Sequence, residues 1–113
     1  MADACLFCRI VRKEIPAQIV AENADCLAFR DINPQAPTHT LIIPREHVAS
    51  VEDVTDPTLV GKLTALAKDL ARRDGIAASG YRLVINTNAD AGQTVFHLHM
   101  HLLGGRKMGW PPG

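Results

Sequence analysis

Near its C-terminal end the chain reads Phe96-His97-Leu98-His99-Met100-His101-Leu102-Leu103, apolar side chains alternating with histidine. Successive side chains of a strand point to opposite faces. The spacing therefore predicts a strand over residues 96–103, with Phe96, Leu98, Met100 and Leu102 against a core and His97, His99 and His101 on the other face. A strand of this kind belongs in a sheet, and one side of that sheet needs an apolar cover.

The rest of the chain supplies both. Residues 57–73 carry Leu59, Val60, Leu63, Leu66, Ala67, Leu70 and Ala71 as one apolar helical stripe. Asp56 is placed as N-cap, Pro57 at the first helical position and Gly75 just past the end. A shorter helix is predicted over residues 4–13, where Leu6, Phe7, Ile10 and Val11 recur at helical spacing and Pro16 closes the segment. Residues 18–21 and 26–30 read as a hairpin across Glu22-Asn23-Ala24-Asp25, and residues 38–44 as a third strand centred on Leu41-Ile42-Ile43. Pro34 and Pro37 keep residues 31–37 a loop. Residues 81–86 form a fourth strand, joined by a turn-rich loop over 87–93 to the histidine strand. The expected fold is α+β: a five-stranded, mostly antiparallel sheet with one long and one short helix.

At 113 residues the chain is expected to be a single domain, with residues 104–113 as a C-terminal tail. Twelve basic residues balance twelve acidic ones without a basic block, which argues against a nucleic-acid partner. No apolar run approaches the roughly 18 residues a membrane span needs. Asp3 and Arg9 interrupt anything like an export signal, so the expected location is the cytoplasm and no membrane association is foreseen. Three cysteines without an export signal point away from a disulfide framework and towards a thiolate metal site or buried thiols.

A lone histidine on a strand is ordinarily just a hydrogen-bonded side chain. Three of the chain's five on one face are different, because imidazoles in a row repel when charged and pack no better than Val or Thr would. They are not expected to share one metal ion: at roughly 3.3 Å per residue the Cα atoms of His97 and His101 lie about 13 Å apart, too far to converge. A division of labour suits them better, with neutral His99 as nucleophile and its neighbours holding and protonating the substrate. Upstream, Asp90-Ala91-Gly92-Gln93-Thr94 has the composition of an anion-binding turn, so the electrophile is expected to be a phosphate. The pair in Cys5-Leu6-Phe7-Cys8 has two readings, a metal site or two small buried residues; Cys26, in an apolar strand, reads as core.

Three segments, DINPQAPTHTLIIPREH, AGQTVFHLHMHLLGG and the closing RKMGWPPG, strongly resemble the histidine triad (HIT) family and, within it, the Hint branch of purine nucleoside phosphoramidases. The resemblance runs from CLFCRIVRKEIP to Gly113. It implies a homodimeric HIT-like fold that binds purine nucleoside monophosphates. The implied activity is hydrolysis of the P–N bond of adenosine 5'-phosphoramidates, and of aminoacyl adenylates, through a nucleotidylated histidine that releases AMP. The neighbouring alternatives are a dinucleoside polyphosphate hydrolase and a nucleotide-binding regulatory protein with incidental turnover.

By matching position, His99 resembles the nucleophile, His101, Gln93 and Thr94 the phosphate contacts, and His39 the outer histidine that buttresses the triad. Asp31 resembles the carboxylate on the ribose hydroxyls, and Asn86 and Gly92 the phosphate end. Leu6, Phe7, Ile10, Phe29, Ile32 and Leu41 resemble the apolar slot for the base. Thr94 departs from the serine common in close relatives; His101, where the transferase branch carries glutamine, favours hydrolysis. The CxxC resembles that of many bacterial HIT proteins and of galactose-1-phosphate uridylyltransferases, which implies a structural zinc on Cys5, Cys8, His47 and His97. No organic cofactor is implied. The WPPG end resembles the Hint tail that reaches the neighbouring subunit's site.

Overall fold

The structure is a computed structural model, and it describes residues 4–113. The reading at Asp3 lies outside them. In chain order the elements are α1 (Leu6–Val11), β1 (Ile19–Glu22), β2 (Cys26–Arg30), β3 (Thr38–Pro44), α2 (Thr58–Arg73), β4 (Tyr81–Val84) and β5 (Met100–Gly104), with single 3-10 turns at Val51–Asp53 and Ala89–Ala91. The five strands form one sheet in the order β1-β2-β3-β5-β4, every neighbouring pair antiparallel. β5 is inserted between β3 and the edge strand β4, so its side chains have neighbours on both sides. No helix among the described residues is long and apolar enough to cross a membrane.

Local chemistry accounts for the element ends. Asn23 closes the first hairpin by accepting from the backbone N–H groups of Asp25 and Cys26 with its side-chain oxygen, at 2.9 and 2.8 Å. Asp56 accepts from the Thr58 N–H at 3.0 Å and so caps α2, whose regular turn starts one residue after Pro57. Gly75, at φ +76°, turns the chain back after α2, and the Ile76 N–H returns to the Ala71 carbonyl.

The sheet is covered on both faces. Leu59, Leu63, Ala67 and Leu70 of α2 pack on Cys26, Ala28, Ile42, Leu98, Met100 and Leu102. The alternate residues Leu27, Phe29, Leu41 and Ile43 turn the other way and meet Phe7 and Ile10 of α1. That second face carries the histidines.

Several boundaries differ from expectation. The histidine strand enters the ladder only at Met100 rather than at 96, and β4 ends at Val84 rather than 86. Continuing the β3 register from Ile42 opposite Met100 would set Pro44 opposite Leu98, and proline has no N–H to donate. The chain departs there, and the Leu98 N–H bonds the Val48 carbonyl instead. Leu98, Met100 and Leu102 still point into the helix-side core, but Phe96, assigned to that face from sequence, is exposed because it precedes the ladder by four residues. α1 is also shorter than the predicted 4–13, and β1 runs over Ile19–Glu22 rather than 18–21.

Candidate active site

His97, His99 and His101 lie on the α1 side of the sheet, and their environments differ. His99 is nine-tenths buried, with its ring and that of Phe7 in a T-shaped contact at 5.2 Å between centroids. Its Nδ1 lies 2.8 Å from the His97 carbonyl oxygen. A carbonyl only accepts, so Nδ1 carries the proton and Nε2 is left with a bare lone pair. His101 sits beside it, ring centroids 5.1 Å apart.

A second chain of bonds sets the tautomers behind His101. The Gln35 N–H donates to His39 Nδ1 at 3.0 Å, which puts the His39 proton on Nε2. That Nε2–H faces His101 Nδ1 at 2.9 Å, with an Asp31 carboxylate oxygen at 3.4 Å. His101 thus accepts at Nδ1 and presents N–H at Nε2. Burial, reinforced by the neighbouring His99 and His39, pushes the His101 pKa down to about 4, against the opposing pull of Asp31. Burial also lowers that of His39, again partly offset by Asp31. Both rings are neutral at pH 7.

The loop before the histidines curls through positive φ at Asn88 (66°) and Gly92 (85°), and the latter is a conformation glycine adopts without strain. Gln93, expected on a phosphate, is buried and bonded to backbone: its amide nitrogen donates to the carbonyls of Ala49 and Val95, and its oxygen accepts from the Asn88 N–H. It holds the loop in shape. Thr94 is exposed, whereas Asn86 borders a cavity of about 370 Å³ that His39 and His101 also line. Of the residues assigned to an apolar slot, Phe7, Ile10, Phe29 and Leu41 are buried together, while Leu6 and Ile32 are exposed.

At the other end of the histidine row, Cys5, Cys8, His47 and His97 bring four ligand atoms within 4.8 Å of one another, and the four could hold a metal ion. His97 Nε2 donates to the Pro44 carbonyl at 2.8 Å, which leaves Nδ1 bare and pointing at the sulfurs of Cys5 (3.4 Å) and Cys8 (3.5 Å). Cys8 Sγ lies 3.3 Å from His47 Nδ1. A tetrahedral zinc with Zn–S of about 2.3 Å and Zn–N of about 2.05 Å has S···N edges of about 3.6 Å, so the donor set and its spacing fit that ion. Burial pushes the Cys8 thiol pKa up, and the adjacent Cys5 adds to the effect. It also lowers that of His97, partly offset by the bond to Pro44.

Sequence reasoning missed Gln35 and Pro44, which act through backbone groups that carry no residue-type signal. It also missed Arg82 and Arg106, which line the cavity beside His101. The pairing of β4 with β5 is what brings Arg82 there.

A family description of the HIT domain matches residues 12–108, a span that starts after the cysteine pair. The chain is 49% identical over 111 residues to the purine nucleoside phosphoramidase of Escherichia coli K12, covering 96% of this chain and 93% of that protein. It is 51% identical over 115 aligned positions to an uncharacterized HIT-like protein of Synechocystis, covering 100% of both. Among solved structures, a HIT family hydrolase from Legionella pneumophila superposes with a TM-score of 0.93 at 55% identity, covering 96% of this chain and 99% of that one.

Proposed function

This chain belongs to the HIT domain family, and from that premise we propose that it is a purine nucleoside phosphoramidase. In this reading it cleaves the P–N bond of adenosine-type 5'-phosphoramidates by way of a nucleotidyl-His99. The observation that carries the reading is the tautomer of His99: its Nε2 is bare, and its ring lies 5.1 Å, centroid to centroid, from that of His101, whose own Nε2 bears hydrogen. In the first step His99 Nε2 attacks the α-phosphorus, an Nε2–P bond forms and the P–N bond breaks. The departing nitrogen takes a proton from His101. Burial favours the neutral His101 ring, but anionic phosphoryl oxygens placed against it act the other way and favour the imidazolium that can give that proton up. In the second step water attacks the same phosphorus, its proton returns to His101, and AMP leaves His99 neutral. Asp31, whose carboxylate lies 3.4 Å from His39 Nε2, is assigned to the ribose hydroxyls, and Asn86, Gly92 and Thr94 to the phosphate.

We assign Cys5, Cys8, His47 and His97 to one zinc ion, supported by the donor set and its spacing. When bound, that ion supplies a cross-link between α1, the segment after β3 and the histidine segment. His97 is then a structural ligand and not a nucleophile. A homodimer is proposed on the family resemblance; two features of the fold agree with it, the edge strand β4 and the exposed Trp110 of the tail.

The test is turnover of a panel of adenosine 5'-phosphoramidates beside diadenosine polyphosphates, with mass spectrometry of the quenched enzyme. The parent should cleave the phosphoramidates faster and carry a nucleotidyl group on His99. His99→Ala should lose on the order of 10³-fold or more in rate while still binding AMP. Activity within tenfold of the parent would remove His99 from the chemistry.

A further inference from the structure

The ladder between β3 and β5 meets a proline beyond each of its ends. Thr38 pairs with Gly104, so the register continued outward would set Pro37 opposite Gly105 and Ala36 opposite Arg106. Pro37 has no N–H to offer, and the ladder stops. Gly105 turns the chain there at φ +89°, a conformation open to glycine, and lies so close to Pro37 that a Cβ added to it would be 2.9 Å from the Pro37 Cβ. Beyond that contact a side chain supplies the next link: Arg106 Nε donates to the Gln35 carbonyl at 2.9 Å. Its Nη1 donates to the Lys107 carbonyl at 3.2 Å, which folds the guanidinium back on its own segment.

Gln35 is the residue whose N–H decides the tautomer of His39. That N–H donates to His39 Nδ1 at 3.0 Å, so the ring proton sits on Nε2 and faces His101 Nδ1 at 2.9 Å. The other tautomer, with hydrogen on His39 Nδ1, would reverse the relay: His39 Nε2 would accept from His101 Nδ1, and His101 Nε2 would be bare. A bare Nε2 has no proton for a departing nitrogen. Asp31 favours the observed tautomer through its charge, but its Oδ2 is 3.4 Å from His39 Nε2, too long for a good N–H···O bond. The directional contact is the Gln35 N–H.

The loop that carries Gln35 is also bonded within itself. Asp31 Oδ1 accepts from the Asn33 N–H at 2.8 Å, and the Gln35 side-chain amide donates to the Asn33 carbonyl at 3.0 Å. Neither bond reaches outside residues 31–37. The bond from Arg106 does, and it ties Gln35 to the segment that follows the histidine strand.

We propose that Arg106 is a positioning residue for the phosphoramidase reaction: through the Gln35 carbonyl it holds the Gln35 N–H on His39 and so keeps a proton on His101 Nε2. What acts is the N–H at Nε and not the positive charge. The inference rests on the phosphoramidase reading for its effect on rate, whereas the tautomer is a property of the free protein.

Paired variants test it. Glutamine carries its amide nitrogen as many bonds from the backbone as arginine carries Nε, so Arg106→Gln keeps a donor without the charge, and Arg106→Met loses both. Nitrogen NMR of the imidazoles in the free proteins reads the His39 tautomer, and the single-turnover rate on a saturating adenosine 5'-phosphoramidate reads its consequence. The parent and Arg106→Gln should both show a bare Nδ1 and a protonated Nε2 at His39 and should cleave within about twofold of each other. Arg106→Met should populate both tautomers and lose about threefold or more in rate, with half-saturation within about twofold of the parent. Arg106 is exposed, so neither substitution disturbs the core. An unaltered His39 signal in Arg106→Met, or a loss in Arg106→Gln as large as in Arg106→Met, would overturn the inference and leave the phosphoramidase reading intact. A parent that cleaves no phosphoramidate would overturn that reading, and the nitrogen signals alone would then decide whether Arg106 sets the tautomer.

Discussion

Lowering the pH from 7 to 5 should destabilise this fold by about 2 kcal/mol through His101 alone. The folded chain holds His101 at about pKa 4 because the ring is buried among other histidines, while the unfolded chain restores the ordinary value of about 6.5. Between those two values the unfolded state binds a proton that the folded state refuses, so stability rises with pH across that window. The stability is fully present above about pH 6.5, declines as the pH falls towards 4 and levels off below it. At pH 5 the ratio of the two binding polynomials is about 30, which is the 2 kcal/mol; the limit at low pH is about 3 kcal/mol. Set against the 5–15 kcal/mol typical of a domain, this should lower Tm by roughly 10 °C. The assay is urea unfolding of the parent and of His101→Gln at pH 7 and pH 5, at equal metal content. Glutamine can still accept from His39 but does not titrate, so the parent should lose about 2 kcal/mol more than the variant. His39 is held low by burial in both proteins and contributes to both. Equal losses in parent and variant would refute this account, since His101 would then titrate alike in the folded and unfolded chains.

Three further outcomes are expected. The parent purified without chelator should hold about one zinc per chain, and stripping it should lower Tm in the parent but not in Cys5→Ser/Cys8→Ser; identical melting of the parent with and without metal would count against the site. Gly104→Ala would bring a Cβ to 2.5 Å from Cδ1 and 3.2 Å from Cβ of buried Ile76, and should destabilise by about 1–3 kcal/mol in a denaturant titration; a change below about 0.5 kcal/mol would show that Ile76 moves freely. Removing residues 108–113 should leave a dimer by sedimentation and alter the ranking of phosphoramidate substrates about tenfold; an unaltered ranking would limit the tail to packing.

Much of the fold was legible because its signals are periodic. The stripe of Leu59, Leu63, Ala67 and Leu70 specifies which side of α2 is buried, and the alternation through Leu98, Met100 and Leu102 specifies which side of the last segment meets it. The start of β5 was not legible, because a strand ends where its partner stops donating. That partner stops at Pro44, which is remote in sequence and becomes relevant only once β3 is paired with β5. The site divides the same way. Histidines and cysteines announce themselves by residue type, and the convergence of Cys5, Cys8, His47 and His97 on one point was expected through family likeness. Gln35, Pro44 and the His97 carbonyl act through groups every residue possesses, and no spacing rule points to them. Gln93 shows the converse: its type is conspicuous in the sequence, but its bonds to the Ala49 and Val95 carbonyls depend on a loop shape that no spacing rule gives.

The departure of the chain from the ladder before Met100 has a chemical consequence. A residue inside the sheet directs its carbonyl to a neighbouring strand, so it would not be free to hold a histidine two positions on. Because residues 97–99 precede β5, the His97 carbonyl is available and takes the Nδ1–H of His99. The same residue extends its ring to Pro44 on one side and to the two cysteines on the other. One peptide unit therefore sets the tautomer of His99, and its side chain is anchored in the cluster that fits zinc. A proline that ends the ladder, a ring that bonds the proline's carbonyl and a carbonyl freed by that ending together leave His99 Nε2 bare.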